Sequence, residues 1–138
     1  MNNSANRLVE IFFYGLHMDA ESLRQKGVVI RQPRLATNLH HSVIVREKAM
    51  LLRQKDALAC GMLYQLTHAE IDTLYKHQTG YRAEAFLAND GEREVCAISM
   101  VHIDPPIDSQ IDYAYVSRLR DVLERLGFPV DHLPAPMA

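Results

Sequence analysis

The side chains of this 138-residue chain that could do chemistry are a few carboxylates, seven histidines and two cysteines. Glu84 stands inside the segment YRAEAF, where a carboxylate among apolar residues suggests a proton acceptor. On a regular strand Tyr81 and Glu84 point to opposite faces, so they share a pocket only across a bulge. Glu10 alternates with Phe12 and Tyr14, which aims it towards the Tyr14 side, and Glu47 sits at a strand break. All three also have a plainer reading, as solvated or sheet-edge carboxylates. His17, in the loop YGLHM, has an ordinary pKa near 6.5, suited to proton transfer; its plainer reading is a surface residue.

Other chemistries find little support. His40 and His41 are neighbours and on a strand would face opposite ways; no His-x-x-x-His pair or Cys-x-x-Cys occurs, so no metal site is expected. No GxGxxG or GxxxxGK phosphate loop is present. Cys60 and Cys96 lie in apolar stretches and are expected to be buried, reduced thiols, since a nucleophile would need a partnered base. Phe12, Phe13 and Tyr64 read as core. A net charge of −2, without runs of like charge, provides no field for nucleic acid or anionic membrane. Apolar stretches are too short to span a bilayer, and MNNSANRLVE lacks the order of a signal peptide, so a cytoplasmic protein is expected. With 48% hydrophobic and 23% charged residues, residues 1–138 are expected to form one globular domain with one core.

The elements that must position these residues follow from periodicity and turn signals. Leu8–Tyr14 is a buried strand ended by Gly15, and Asp19 caps a short helix that closes at Gly27. A strand-to-helix loop leaves backbone N–H groups unpaired, which suits it to hold a carboxylate or carbonyl oxygen. Strands are expected at Leu35–Leu39, Ser42–Val45, Ala49–Leu52 and Ala59–Leu66, the last two separated by a turn at Lys55-Asp56. Thr67 and Glu70 have the spacing of a capping box, Leu66 and Ile71 that of a hydrophobic staple. Ile71, Leu74 and Tyr75 make one face of a helix ending near His77. Tyr81–Ala88 and Arg93–His102 flank the hairpin signal Asn89-Asp90-Gly91. The last helix is expected from about Ser109 to Leu126, with Ile111, Tyr115, Leu119, Val122 and Leu126 in one stripe. Five or six strands and three helices make an α+β domain, mostly antiparallel and curled into a small barrel.

Three blocks in this order carry a resemblance. FFYGLHMDAESLRQKGV resembles the N-terminal YGSN-type element of the γ-glutamylcyclotransferase-like (AIG2-like) superfamily. GMLYQLTHAEIDTLYKHQTGYRAEAFLAND is similar to its G-x-(V/L)-Y-x-L strand, Leu-Asp helix and Gly-Tyr strand, and YAYVSRLRDVLERLGFPVDHL to its final helix. The resemblance spans residues 8–133 and implies a compact barrel-like fold with a pocket over the first loop, lined by Tyr14, Gly15, Leu16, His17 and Tyr81. It also implies cofactor-free acyl transfer of lyase or transferase type. In the family a glutamate takes a proton from the substrate α-amine, which then attacks the γ-glutamyl carbonyl to give 5-oxoproline. Where the family reads Leu-Asp-x-x-Glu-Gly, this chain reads Leu74 to Thr79, with Gln78 at the catalytic position, and Leu16-His17 replaces Ser-Asn. An amide cannot accept that proton at neutral pH. Two readings follow: a small-molecule enzyme performing intramolecular aminolysis, with Glu84 as a further catalytic candidate, or a non-catalytic relative binding a metabolite or partner. Either expects a ligand bearing an amine or carboxylate, no nucleic acid or membrane partner, and a monomer or homodimer.

Overall fold

A computed structural model describes residues 6–136. Five strands close into a barrel: β1 (Leu8–Phe13), β2 (Arg34–Val45), β3 (Ala49–Thr67), β4 (Tyr81–Asn89) and β5 (Glu94–His102). Their order around the ring is β1-β3-β2-β4-β5, and every pairing is antiparallel except β5 with β1, which meet in parallel at Ile11 and Ile98. The helices are α1 (Ala20–Gln25), α2 (His68–Tyr75) and α3 (Tyr113–Leu126), with a short 3₁₀ turn at Leu16–Met18. The architecture is thus the small α+β barrel expected, with five strands. No helix among the described residues is long and apolar enough to cross a membrane.

Alternation along the strands gives the single core two faces. One face carries small residues, with Ala36, Ala59, Ala88, Ala97 and Ser99 buried around the larger Phe12 and Leu63. Gly61 belongs to this face: a Cβ there would run into the Phe12 ring and the Phe13 carbonyl. On the other face Ile11, Phe13, Met62, Tyr64 and Leu66 join a cluster with Leu23 of α1, Ile71 and Leu74 of α2, and Val116, Leu119, Val122 and Leu123 of α3.

Several expected boundaries move. The four central strands are two long ones, and Lys55-Asp56 is a bulge rather than a turn. Pairing runs from Leu39↔Leu58 to His41↔Arg53, so two steps on β2 match five on β3. The extra residues loop out around His40 and Asp56, both at φ 64, with the Asp56 N–H donating to His40 Nδ1 at 3.0 Å. Tyr14 lies just beyond β1. Helix α3 starts at Tyr113 rather than Ser109, because the Asp112 side chain accepts the Tyr115 N–H at 3.1 Å and caps it there; Ile111 therefore precedes the helix. Asp19 occupies the N-cap of α1 without a capping side-chain bond, its carboxylate lying 3.5 Å from Arg125 instead. The thiols are free but not buried: Cys96 is exposed and Cys60 half-buried, as they occupy the outward positions opposite Leu87 and Thr37.

Candidate functional site

The capping box sets the site's far wall. Thr67 accepts the Glu70 N–H at 3.1 Å, and Glu70 accepts the Thr67 N–H at 2.9 Å. These bonds start α2 so that Tyr75 closes its last turn, and Gln78 follows with its N–H on the Tyr75 carbonyl at 2.9 Å. The near wall is the loop after β1. Between them opens a cavity of about 260 Å³ lined by Tyr14, Gly15, Leu16, His17, Gln78 and Tyr81, the expected set apart from Glu84. Phe13, Tyr75 and Tyr115 add aromatic surface, and Lys26, Lys48 and Arg118 add charge.

The aromatic wall is continuous. Phe13 and His17 meet at 5.3 Å between centroids, His17 and Tyr75 at 5.8 Å, Tyr75 and Tyr81 at 5.6 Å, and Tyr81 and His102 at 4.4 Å. Hydrogen bonds fix two of the phenols. Tyr14 donates to the Met100 carbonyl at 2.7 Å, tying the first loop to β5, and burial raises its pKa well above the ordinary range. Tyr115 accepts the Ala49 N–H at 3.2 Å; burial raises its pKa as well. Gly15 is required by this contact, because a Cβ there would lie 2.9 Å from the Tyr115 hydroxyl.

His17 is held neutral. Burial, followed by the positive charges of Lys26 and Lys48, lowers its pKa from 6.5 to about 4. Lys26 Nζ stands 3.1 Å from His17 Nε2, so the ammonium donates to the ring nitrogen and occupies its lone pair. Among the described residues, the Gly15 and His17 N–H groups donate to no protein acceptor, as a strand-to-helix loop allows.

The carboxylate candidates lie elsewhere. Glu84 alternates away from Tyr81 and is bound by Arg53 at 2.5 Å and Arg82 at 3.4 Å. The Arg53 hydrogen bond holds its carboxyl below the usual range, so Glu84 is both outside the cavity and a poor proton acceptor. Glu10 pairs with Arg34 and accepts from Gln65 at 2.9 Å, and Glu47 is exposed in the turn between β2 and β3. Among the described residues no Asp or Glu lines the cavity. Sequence reasoning placed Tyr75 and Tyr115 on apolar helix faces, and did not bring Lys48, Arg118 or His102 to the site. The signal was present in α3: Arg118 lies one turn beyond Tyr115, on the same face.

No family model matches the chain, and no curated protein matches it. Solved structures do. A protein described as gamma-glutamyl cyclotransferase superposes with a TM-score of 0.73 at 10% identity, over 95% of this chain and 90% of that one. YkqA from Bacillus subtilis gives 0.69 at 18% identity, over 86% of this chain and 49% of that one, so this chain spans about half its length. An AIG2-like protein from Mus musculus gives 0.55 at 13% identity, over 94% and 89%. This chain thus has the γ-glutamylcyclotransferase-like, AIG2-like fold that its three sequence blocks imply.

Proposed function

We propose that the chain is a small-molecule-binding protein on the γ-glutamylcyclotransferase-like fold, which takes a carboxylate-bearing metabolite into this cavity and does not cyclise it. The observation that carries the proposal is the absence of Asp and Glu from the lining, with Gln78 at the position the resemblance gives to the base. Cyclisation begins by removing a proton from an ammonium whose pKa is near 8. The Gln78 amide oxygen is not basic enough to take it. His17, with a pKa near 4 and its lone pair engaged by Lys26, is mismatched by several powers of ten. What the cavity retains is suited to binding: unspent loop N–H groups, an aromatic wall and cations. The proposal involves no cofactor, nucleic acid or membrane, and places the protein in the cytoplasm as a monomer or homodimer.

The test is release of 5-oxoproline from γ-glutamyl dipeptides. The unmodified protein should stay at background, because loss of a general base costs roughly 10² to 10⁴ in rate. Gln78→Glu restores a carboxylate at conserved length and should give a modest gain. Robust turnover by the unmodified protein would overturn the proposal.

A further inference from the structure

The cavity's charge is one-sided. Lys26, Lys48 and Arg118, all exposed at its rim, line it without an Asp or Glu among the described residues, in a protein whose net charge is −2. Elsewhere Arg24, Arg31, Arg34, Arg53, Arg82 and Arg125 each lie within 4.0 Å of an acidic side chain, while among the described residues Arg7, Arg46, Lys55, Lys76, Arg93 and Arg120 have none so near but are not gathered at this cavity. Among the described residues the three rim cations have no such partner. Asp19, Glu21 and Asp121 line a neighbouring groove with Arg118 and stay beyond 4.0 Å of it. Unpaired cations gathered at one aromatic hollow create a field that attracts anions and repels ammonium groups.

Size narrows the ligand. A cavity of about 260 Å³ suits a small ligand rather than a peptide or a nucleotide. The aromatic wall needs an uncharged segment to cover it, while three cations outnumber what one carboxylate neutralises. We propose that the cavity selects a short dicarboxylate with no free ammonium, its two carboxylates at the rim cations and its carbon chain against Tyr75 and Tyr81. This rests on the carboxylate-binding reading above and sharpens it. An α-amino dicarboxylate would bring an ammonium among three cations, with no Asp or Glu among the described residues of the cavity lining to receive it.

Three probes of nearly equal size separate the contributions: glutarate, glutamate and butyrate, titrated by calorimetry into the full chain at low and moderate salt. Glutarate should bind at least tenfold more tightly than either other probe and weaken with salt. Lys48→Gln and Arg118→Gln should each weaken it about tenfold, with unchanged melting temperature as the control for folding. Amide shifts of Gly15 and His17 in the unmodified protein would locate the ligand independently of any variant. Glutamate or butyrate binding as tightly as glutarate, or loss of neither cation mattering, would overturn the dicarboxylate assignment and leave the carboxylate-binding reading standing. If none of the three binds, both are wrong.

Discussion

Gly15→Ala tests the contact that joins the first loop to α3. Gly15 has φ −122, which alanine tolerates, so any cost must come from space and not from backbone strain. The added Cβ would lie 2.9 Å from the Tyr115 hydroxyl and 3.4 Å from Ala49 Cβ. The first distance is short of a comfortable contact by about 0.5 Å. Tyr115 is mostly buried, fixed to α3 and bonded to the Ala49 N–H, so its ring cannot retreat without lengthening a bond already at 3.2 Å. Overpacking of this kind costs about 1–3 kcal/mol, or roughly 4–12 °C in melting temperature for a chain of this size. Tyr115→Phe removes the obstructing oxygen but leaves the Ala49 N–H without its acceptor, at about 1–2 kcal/mol. The double variant should therefore cost little more than Tyr115→Phe alone, a favourable coupling of about 1 kcal/mol or more in a urea-melt cycle. Strictly additive costs would refute the argument and mean that Gly15 has another reason to be glycine.

Two further predictions concern stability. Thr67→Ala should cost about 1 kcal/mol through loss of the cap, and Glu70→Ala more, about 2–3 kcal/mol, because Glu70 also accepts from Arg31 at 2.7 Å and from the Val29 N–H at 2.8 Å; chemical denaturation that ranks them the other way would contradict the network. His17 is protonated near pH 6.5 when unfolded but only near pH 4 when folded. The unfolded state thus takes up more protons between those values, and stability should rise with pH across that window and level off above it, by up to about 3 kcal/mol. His17→Gln should flatten this rise in melts at pH 4.5 and 7; an unchanged profile would show that His17 titrates normally.

The fold was legible where one residue type had one local use. Thr67 and Glu70 bond as a capping box because both partners are four residues or fewer apart. Asn89-Asp90-Gly91 turns as expected, with Asn89 accepting the Gly91 N–H and Asp90 the Arg93 N–H. The misreadings came from non-local pairing. Lys55-Asp56 carries a turn's chemistry, but β2 continues past it and offers partners on both sides, so the strand bulges and resumes. Asp19 has the right type for a cap, yet Arg125, a hundred residues away, draws its carboxylate. The cysteines sit in apolar runs that a closed barrel turns partly outward.

The candidate site divides along the same line. Its backbone half, the strand, tight glycine and loop, is written in consecutive residues, and so could be read. Its charged half is assembled from a helix end, a hairpin turn and the last helix, at positions 26, 48 and 118, and no spacing rule connects them. The division has a chemical consequence. Loop N–H groups depend on the path of the backbone and survive side-chain replacement, so the Leu16-His17 that the resemblance sets against Ser-Asn would still allow an oxygen anion to be held there. A general base depends on one side chain, and on the proposed reading an amide at Gln78 would lack proton abstraction without altering the cavity's shape. Binding is therefore the property that the proposed reading assigns to this scaffold, and the cations around the rim are the groups that would set its selectivity.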